Sequence, residues 1–222
     1  MTEILKLLKS CPVFLDHHTS FLTAFATLAA VIVALFKNEI RNHLFPVRLQ
    51  IHLKNTTGEL TKINFNQLDA STGSVTLHSL DARYYHLLVS NESRWRTANQ
   101  TQVFLHKVEE QGPGGKFQSL WVGEVPMEWQ HQSIYPHARN IGQPLSCDLC
   151  SVVKSNYLQL HPLIAPNSMK ATYKTATVIR LIFQAKCNEG VSPLSKIQIA
   201  WDGTWKDGEN EMQKHFIIEE LT

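Results

Sequence analysis

The sequence predicts a mainly β chain, a β-sandwich domain that follows one N-terminal transmembrane α-helix. Three observations lead to this fold class. The run from Thr19 to Phe36 contains no charged residue. Downstream of it, short segments that alternate apolar and polar residues recur, and turn signals rich in Gly, Asn, Asp and Pro separate them. Alternation with period two is typical of strands with one buried face, and many short strands with turns between them indicate a sandwich.

Residues 1–18 form an N-terminal tail. Ile4, Leu7, Leu8 and Cys11 follow helical spacing ahead of Pro12. Two interpretations stay open, because such a tail is either a short interfacial helix stopped by the proline or a frayed terminus.

Residues 19–36 are predicted to be a transmembrane helix. At about 1.5 Å per residue the run reaches roughly 27 Å, close to the thickness of the hydrocarbon core of a bilayer. It lacks the polar stripe of a soluble helix. It also begins late and is not followed by a small-residue cleavage pattern, so we favour an uncleaved anchor over a signal peptide. A second apolar run of this length does not follow, which predicts a single-pass protein.

The flanks of this helix suggest its surroundings. The helix is expected to continue to about residue 45, where Pro46 ends it. Lys37 and Arg41 are four residues apart, so both can reach lipid phosphates from one face. More positive charges follow the helix than precede it, which favours a cytoplasmic C-terminal domain under the positive-inside rule. Those that follow are Lys37, Arg41, Arg48 and Lys54, and those that precede are Lys6, Lys9 and the amino terminus.

Residues 47–222 are predicted to form the β-sandwich. Its first strand is VRLQIHLK, in which Val47, Leu49, Ile51 and Leu53 share one face, and it begins so soon after the helix that the domain should lie close to the bilayer. In the later segment RYYHLLVS, the apolar face consists of Tyr85, Leu87 and Val89. Other strand-like segments are LTKINF, GSVTLH, TQVFLHKV, VPMEWQ, NYLQL, TVIRLIFQA, KIQIAW and KHFIIE.

One segment carries a family resemblance. The region from Arg83 to Val108 has a strand, then V-x-N, a loop, and then A-x-x-x-x-V-x-L. This order resembles the middle of immunoglobulin-like modules of the cell-adhesion-related bacterial type. The whole layout also resembles bacterial proteins of uncharacterised function that carry one N-terminal membrane helix and a β-rich domain. The resemblance implies an immunoglobulin-like sandwich and no particular activity.

Composition narrows the function classes. The formal net charge is +2, and Lys and Arg form no run of the kind that follows nucleic acid. Four cysteines are too few for a disulfide scaffold. The sequence also lacks the G-x-S-x-G, H-E-x-x-H and P-loop motifs. We therefore expect neither a nucleic-acid partner nor a resident cofactor, and a non-enzymatic role is favoured over catalysis.

The segment HQSIYPHARNIGQPLSCDLC contains the candidate metal ligands His131, His137, Cys147 and Cys150. A C-x2-C pair allows two thiolates to reach one tetrahedral ion. The six-residue separation of the two histidines is unusual for zinc, so a zinc site, a redox pair and plain structural cysteines all stay open.

Two further histidines lie on predicted strands. His86 and His106 belong to neighbouring segments, RYYHLLVS and TQVFLHKV. Pairing of these strands would bring the two side chains together.

The candidate binding residues are loop aromatics and arginines. Arg94, Trp95 and Arg96 lie in the loop after the V-x-N strand. Trp201 and Trp205 flank the Asp202-Gly203 turn signal, where they either complete the core or form an aromatic contact patch.

The leading functional hypothesis is a membrane-anchored interaction module whose partners are the lipid bilayer and a protein. The first alternative is a zinc-binding or catalytic domain that uses the His131–Cys150 region. The second is a membrane effector that oligomerises through the small residues of its helix, namely Ala26, Ala29, Ala30 and Ala34.

Overall fold

The computed structural model describes residues 21–68, 75–131 and 138–221. The chain divides into two compact units, Met1–Pro46 and Val47–Thr222. The predicted tail at residues 1–18 lies outside the described residues, as do the first two residues of the predicted transmembrane helix. The prediction of a mainly β chain is confirmed.

The N-terminal unit contains two helices with a bend between them. Helix α1 covers Phe21–Leu35 of the described residues, α2 covers Lys37–Leu44, and the angle between them is 78°. The bend at Phe36 falls where the apolar run gives way to polar sequence. The predicted continuation to about residue 45 is therefore present as a separate helix that ends at Leu44. Among the described residues, neither helix alone is long and apolar enough to cross a membrane. The bent pair together meets that criterion of length and composition.

The C-terminal unit is built from short antiparallel strands. The described part of the chain contains β1 (Leu49–Leu53), β2 (Glu59–Leu68), β3 (Val75–Asn91), β4 (Ala98–Gln111), β5 (Phe117–Pro126), β6 (Arg139–Ile141), β7 (Leu145–Val153), β8 (Tyr157–Leu160), β9 (Thr172–Tyr173), β10 (Thr177–Cys187), β11 (Gly190–Val191), β12 (Ser195–Trp201) and β13 (Phe216–Leu221).

These strands form two antiparallel sheets. The first has the order β1-β3-β7-β8-β9, and β2 also pairs with β3. The long strand β3 pairs with β2 along residues 75–84, with β1 along residues 87–91, and with β7 along residues 82–89. The second has the order β13-β12-β10-β4-β5, and β11 and β6 pair with β10 and β4.

A single apolar core contains side chains from both sheets, which is consistent with a β-sandwich. The ring of Tyr85 on β3 stacks against that of Phe216 on β13, with 4.2 Å between the ring centroids. Tyr85, Leu87 and Val89 are all buried, so the shared apolar face predicted for these residues is confirmed. Full burial of one such side chain stabilises the fold by about 2 kcal/mol.

Strand β1 also contacts the second sheet near its edge. The hydroxyl of Ser195 donates a hydrogen bond to the backbone oxygen of Ile51 at 2.9 Å. The backbone N–H of Leu53 donates to Oε2 of Glu220, on the last strand, at 3.3 Å. The first and last strands of the unit are therefore neighbours.

Turn signals in the sequence predict the β4–β5 connection correctly but not the β12–β13 connection. The Gly-Pro-Gly-Gly run makes the β4–β5 hairpin loop, as predicted, with Gly114 and Gly115 at φ of +98° and +79°. The Asp202-Gly203 signal does not lead directly into a strand. A short helix, α3 (Glu209–Met212), lies between β12 and β13, and its single turn is too short to leave a helical period in the sequence.

Candidate functional site

A polar cluster lies on the outer face of the first sheet. Tyr85 and Leu87 on β3 belong to the core, so His86 between them points outward. His86 is nevertheless only 3% exposed, because Glu59 of β2, Asp148 of β7 and the side chain of Gln130 surround its ring. An imidazole can be buried in this way only when polar partners satisfy its nitrogens.

The imidazole of His86 lies between two carboxylates. Its Nδ1 is 2.8 Å from Oδ1 of Asp148 on β7, and its Nε2 is 3.5 Å from Oε2 of Glu59 on β2. The ring hydrogen-bonds to Asp148, lies close to Glu59, and has the side-chain amide of Gln130 3.4 Å from its Nε2, so it connects side chains of three strands and of the Gln130 segment. Because both nitrogens face carboxylate oxygens, His86 is better placed to hold the site together than to act as a free general base.

Glu59 has two further partners at the mouth of this cluster. Lys54 Nζ donates to its Oε1 at 2.7 Å, and Gln130 Nε2 donates to its Oε2 at 3.1 Å. The hydrogen bond from Lys54 lowers the pKa of Glu59, and His86 and Gln130 lower it further, although burial opposes the shift. Glu59 therefore carries a negative charge at neutral pH.

A group of aromatic rings borders the cluster. The ring of Tyr84 stacks with that of His161, at 5.0 Å between centroids, and with that of His86 at 6.3 Å. Nε2 of His161 is 2.9 Å from Oγ of Ser151. Burial lowers the pKa of His161, so this ring is neutral at pH 7. Burial also raises the pKa of Tyr84, and Asp148 adds to that shift.

Several side chains of this cluster, although not His161 or Ser151, line an open cavity of about 340 Å³. A volume of this size is at the lower end of the range for small-molecule sites. The lining combines two carboxylates, two imidazoles, an amide, a phenol, a hydroxyl and the ammonium of Lys62. It therefore offers both acceptors and donors to a small polar group. The lining residues are Glu59, Leu60, Thr61, Lys62, Tyr84, His86, Gln130, His131 and Asp148.

The candidate metal ligands are placed in different environments. His131 is exposed and lines the cavity, whereas Cys147 and Cys150 are buried free thiols. Sγ of Cys147 donates to the backbone oxygen of Glu128 at 3.2 Å, and burial raises the pKa of both thiols. Zinc requires thiolates, which this environment disfavours. Within the described ranges no group of three or more His, Cys, Asp or Glu side chains is arranged to hold a metal, but His137 lies outside them, so the zinc hypothesis stays a prediction.

The candidate binding residues of the β3–β4 loop are only partly available to a partner. Arg94 is exposed, and Trp95 is 82% exposed. The side chain of Arg96 is 9% exposed, and its guanidinium lies 3.7 Å from a carboxylate oxygen of Glu189. Arg96 therefore supports the loop from within, while Arg94 and Trp95 point to solvent.

The two other candidate tryptophans, Trp201 and Trp205, pack in or against the core. Trp201 is 2% exposed, and its indole N–H donates to the backbone oxygen of Thr204 at 3.0 Å. Trp205 is half-buried against the core, and its indole N–H donates to Asp207 at 2.9 Å. Of the two interpretations of this pair, burial favours a structural role over a contact patch.

In the other unit, the membrane-flanking residues Lys37 and Arg41 are both exposed on α2.

Sequence reasoning named His86 but missed its two carboxylate partners in the cavity. Glu59, His86 and Asp148 lie on three different strands, and no local motif joins them. The suggested approach of His86 and His106 is wrong, because β3 and β4 belong to different sheets. The sequence held a weak signal that His86 and Asp148 share a polar face. His86 alternates with apolar residues of its strand, and Asp148 lies within C-D-L-C, beside a cysteine that is buried.

Comparisons of the chain with protein-family models, with curated proteins and with solved structures give no match. The resemblance to immunoglobulin-like modules therefore stays a prediction.

Proposed function

We propose that this protein is a membrane-anchored, non-enzymatic binding module, in which α1 fixes the chain in a bilayer and an immunoglobulin-like sandwich binds a ligand or protein partner at the His86 cavity. The observation that carries the proposal is the uncovered apolar surface of α1. Its large apolar side chains are exposed along the whole described helix, and a surface of this kind needs an apolar environment. They are Phe21, Leu22, Phe25, Leu28, Val31, Ile32, Val33 and Leu35.

The charge distribution supports an orientation for this anchor. Lys37 and Arg41 are exposed just after α1, and basic residues favour the cytoplasmic side of a membrane. We propose that the sandwich faces the cytoplasm. Three free cysteines among the described residues are compatible with a reducing compartment.

Strand order supports an immunoglobulin-like arrangement. Consecutive strands β3 and β4 lie in different sheets, and β1, β3 and β7 are neighbours although they are not consecutive in sequence. Connections that cross between two antiparallel sheets are typical of immunoglobulin-like sandwiches.

The geometry of the cavity supports binding over catalysis. Both nitrogens of His86 already face carboxylates, and the cysteines nearest to it in the fold are buried thiols with raised pKa. The cavity therefore offers preformed hydrogen-bonding groups, which a binding site requires.

Alkaline carbonate extraction of membranes that contain the full chain tests the anchor. We expect the wild-type chain to stay with the membrane pellet, and the double variant Leu28→Arg, Ile32→Arg to be released, because charge within a spanning helix is costly. The matched control is Leu120→Arg, Val122→Arg, which changes two exposed apolar residues on β5, 42% and 68% exposed, that do not line the cavity. Release of the wild-type chain would contradict the proposed anchor.

Co-purification from native membranes tests the cavity. Glu59 and Glu124 have side chains 42% and 44% exposed, and each pairs with a lysine, at 2.7 and 2.6 Å. Only Glu59 lines the cavity. We expect a bound partner or ligand to be retained by the wild type and by Glu124→Gln, and lost from Glu59→Gln. Equal retention by the two variants would count against the cavity as the binding site.

A further inference from the structure

One end of the sandwich exposes several large apolar side chains. The chain enters the sandwich at Arg48, which immediately precedes β1. At this end Trp95 is 82% exposed, and Val191 and Leu194 are 61% and 63% exposed. Arg48 and Arg94 are exposed among them. We call these five residues the tether-end surface.

Backbone hydrogen bonds fix the β3–β4 loop beside the point of entry. The N–H of Arg48 donates to Oδ1 of Asn91 at 3.1 Å, and the N–H of Glu92 donates to the backbone oxygen of Arg48 at 2.9 Å. The side-chain amide of Asn91 also donates to the backbone oxygen of Arg96 at 2.6 Å. The loop that presents Trp95 is thus tied to Arg48 through Asn91 and Glu92.

A second set of contacts places the β10–β11 turn against the same loop. The carboxylate of Glu189 accepts hydrogen bonds from the backbone N–H and the side-chain amide of Asn99, at 2.9 and 2.6 Å, and it pairs with Arg96. The N–H of Asn188 donates to the backbone oxygen of Asn99 at 3.0 Å. Val191 follows this turn directly. Trp95 and Val191 are therefore held on two connected segments of one end of the sandwich, and Leu194 follows between β11 and the start of β12.

We propose that the tether-end surface contacts the headgroup layer of an anionic bilayer. Tryptophan favours the membrane–water interface, where its apolar ring and polar N–H are both accommodated. Exposed arginines bind lipid phosphate through charge-assisted hydrogen bonds, and Arg48 and Arg94 outnumber the exposed Glu92 of this loop. Because Pro46 precedes Arg48 by two residues, this is the end at which the sandwich is tethered.

This inference rests on the proposed membrane anchor and adds a second, peripheral contact to it. It also assigns Arg94 and Trp95 to lipid instead of to a protein partner. Arg96 is excluded from the contact because Glu189 already pairs with its guanidinium.

The test uses the full chain reconstituted into vesicles of phosphatidylcholine and phosphatidylglycerol that contain a brominated phosphatidylcholine. Bromine quenches indole fluorescence only within the bilayer, and flotation of the vesicles reports the anchor separately. We expect lipid quenching in the wild type and its loss in Trp95→Phe. The matched control is Trp205→Phe, because the β12–β13 connection lies beyond the opposite end of β12, and this variant should keep the lipid-quenched component.

The outcomes separate the two proposals. If the chain floats with the vesicles and Trp95→Phe leaves lipid quenching unchanged, the tether-end contact is refuted while the anchor stands. If Trp95 in the floated protein is quenched by aqueous acrylamide instead, the ring faces water and is free for a protein partner, which also refutes the contact. If the chain does not float, both proposals fall.

The lipid class is tested with the same readout. Omission of phosphatidylglycerol should reduce the lipid quenching of Trp95 in the wild type, and Arg94→Ala should reduce it in the anionic vesicles. Replacement of an exposed arginine should leave the fold intact. Equal quenching with and without the anionic lipid would overturn the assignment to an anionic surface.

Discussion

The buried pair of His86 and Asp148 should contribute more to the free energy of unfolding than the exposed pair of His52 and Glu220. The two pairs are matched in chemistry, because each joins Nδ1 of a histidine to a carboxylate oxygen, at 2.8 and 3.2 Å. They differ in exposure. The side chains of the first pair are 3% and 13% exposed, and those of the second are 55% and 36% exposed.

The expected magnitudes follow from this difference. A charge-assisted hydrogen bond between buried groups contributes about 1.5–3 kcal/mol, and removal of either partner leaves the other unsatisfied. An exposed ion pair contributes less than about 1 kcal/mol, because water and salt screen it. We therefore expect a coupling energy of about 2 kcal/mol for His86–Asp148 and of less than about 1 kcal/mol for His52–Glu220.

A double-mutant cycle for each pair measures the coupling. Each residue is replaced by alanine, singly and together, and unfolding of the full chain in detergent micelles is followed in urea by tryptophan fluorescence. The contact of His86 with Glu59 is lost in both variants that lack His86, so it cancels within the cycle. Equal coupling energies for the two pairs, or less than about 0.5 kcal/mol for the buried pair, would refute the reasoning.

Three further predictions concern the backbone, the thiols and pH. Gly58→Ala should lower the free energy of unfolding by more than Gly114→Ala does. Both glycines have positive φ, but a Cβ added at Gly58 would lie 2.8 Å from the nearest atom, whereas a Cβ added at Gly114 would meet no atom within 4 Å. Similar losses of stability in a urea titration would count against this. Cys147 and Cys150 should resist maleimide in the native protein at neutral pH and react after unfolding, because burial raises the pKa of both thiols; rapid native labelling, read by mass spectrometry, would contradict it. Burial lowers the pKa of His161 from its ordinary value of 6.5, so the unfolded chain takes up a proton before the folded chain as pH falls. The stability that His161 contributes should therefore be present above about pH 6.5 and decline below it. A constant difference in the free energy of unfolding between wild type and His161→Asn across that window would show the reasoning to be wrong.

Strand positions and core faces were accessible from sequence because alternation is a local property. Tyr85, Leu87 and Val89 alternate with polar residues, and burial of all three follows directly from that pattern. The strand that contains Trp201 alternates in the same way, which indicates its burial without any knowledge of its neighbours.

The cavity could not be predicted because it depends on strand pairing between distant parts of the chain. His86 and Asp148 are separated by 62 residues, and a register shift between Tyr85 and His86 helps to set which residue of β7 lies opposite His86. Pairing partners and bulges of this kind leave no periodic signal in a single sequence. For the same reason, we predicted that the strands of His86 and His106, which follow each other in the chain, pair with each other, whereas they belong to separate sheets.

The contact between the first and last strands has a consequence for synthesis. The hydrogen bond from Leu53 to Glu220 spans 167 residues, so β1 leaves the ribosome long before its partner at the C-terminal edge exists. Closure of the sandwich must wait until β13 has been translated and released, and contacts of such high sequence separation form slowly. A nascent chain that is halted before Phe216 should therefore expose its apolar core to chaperones, whereas a finished chain closes around it.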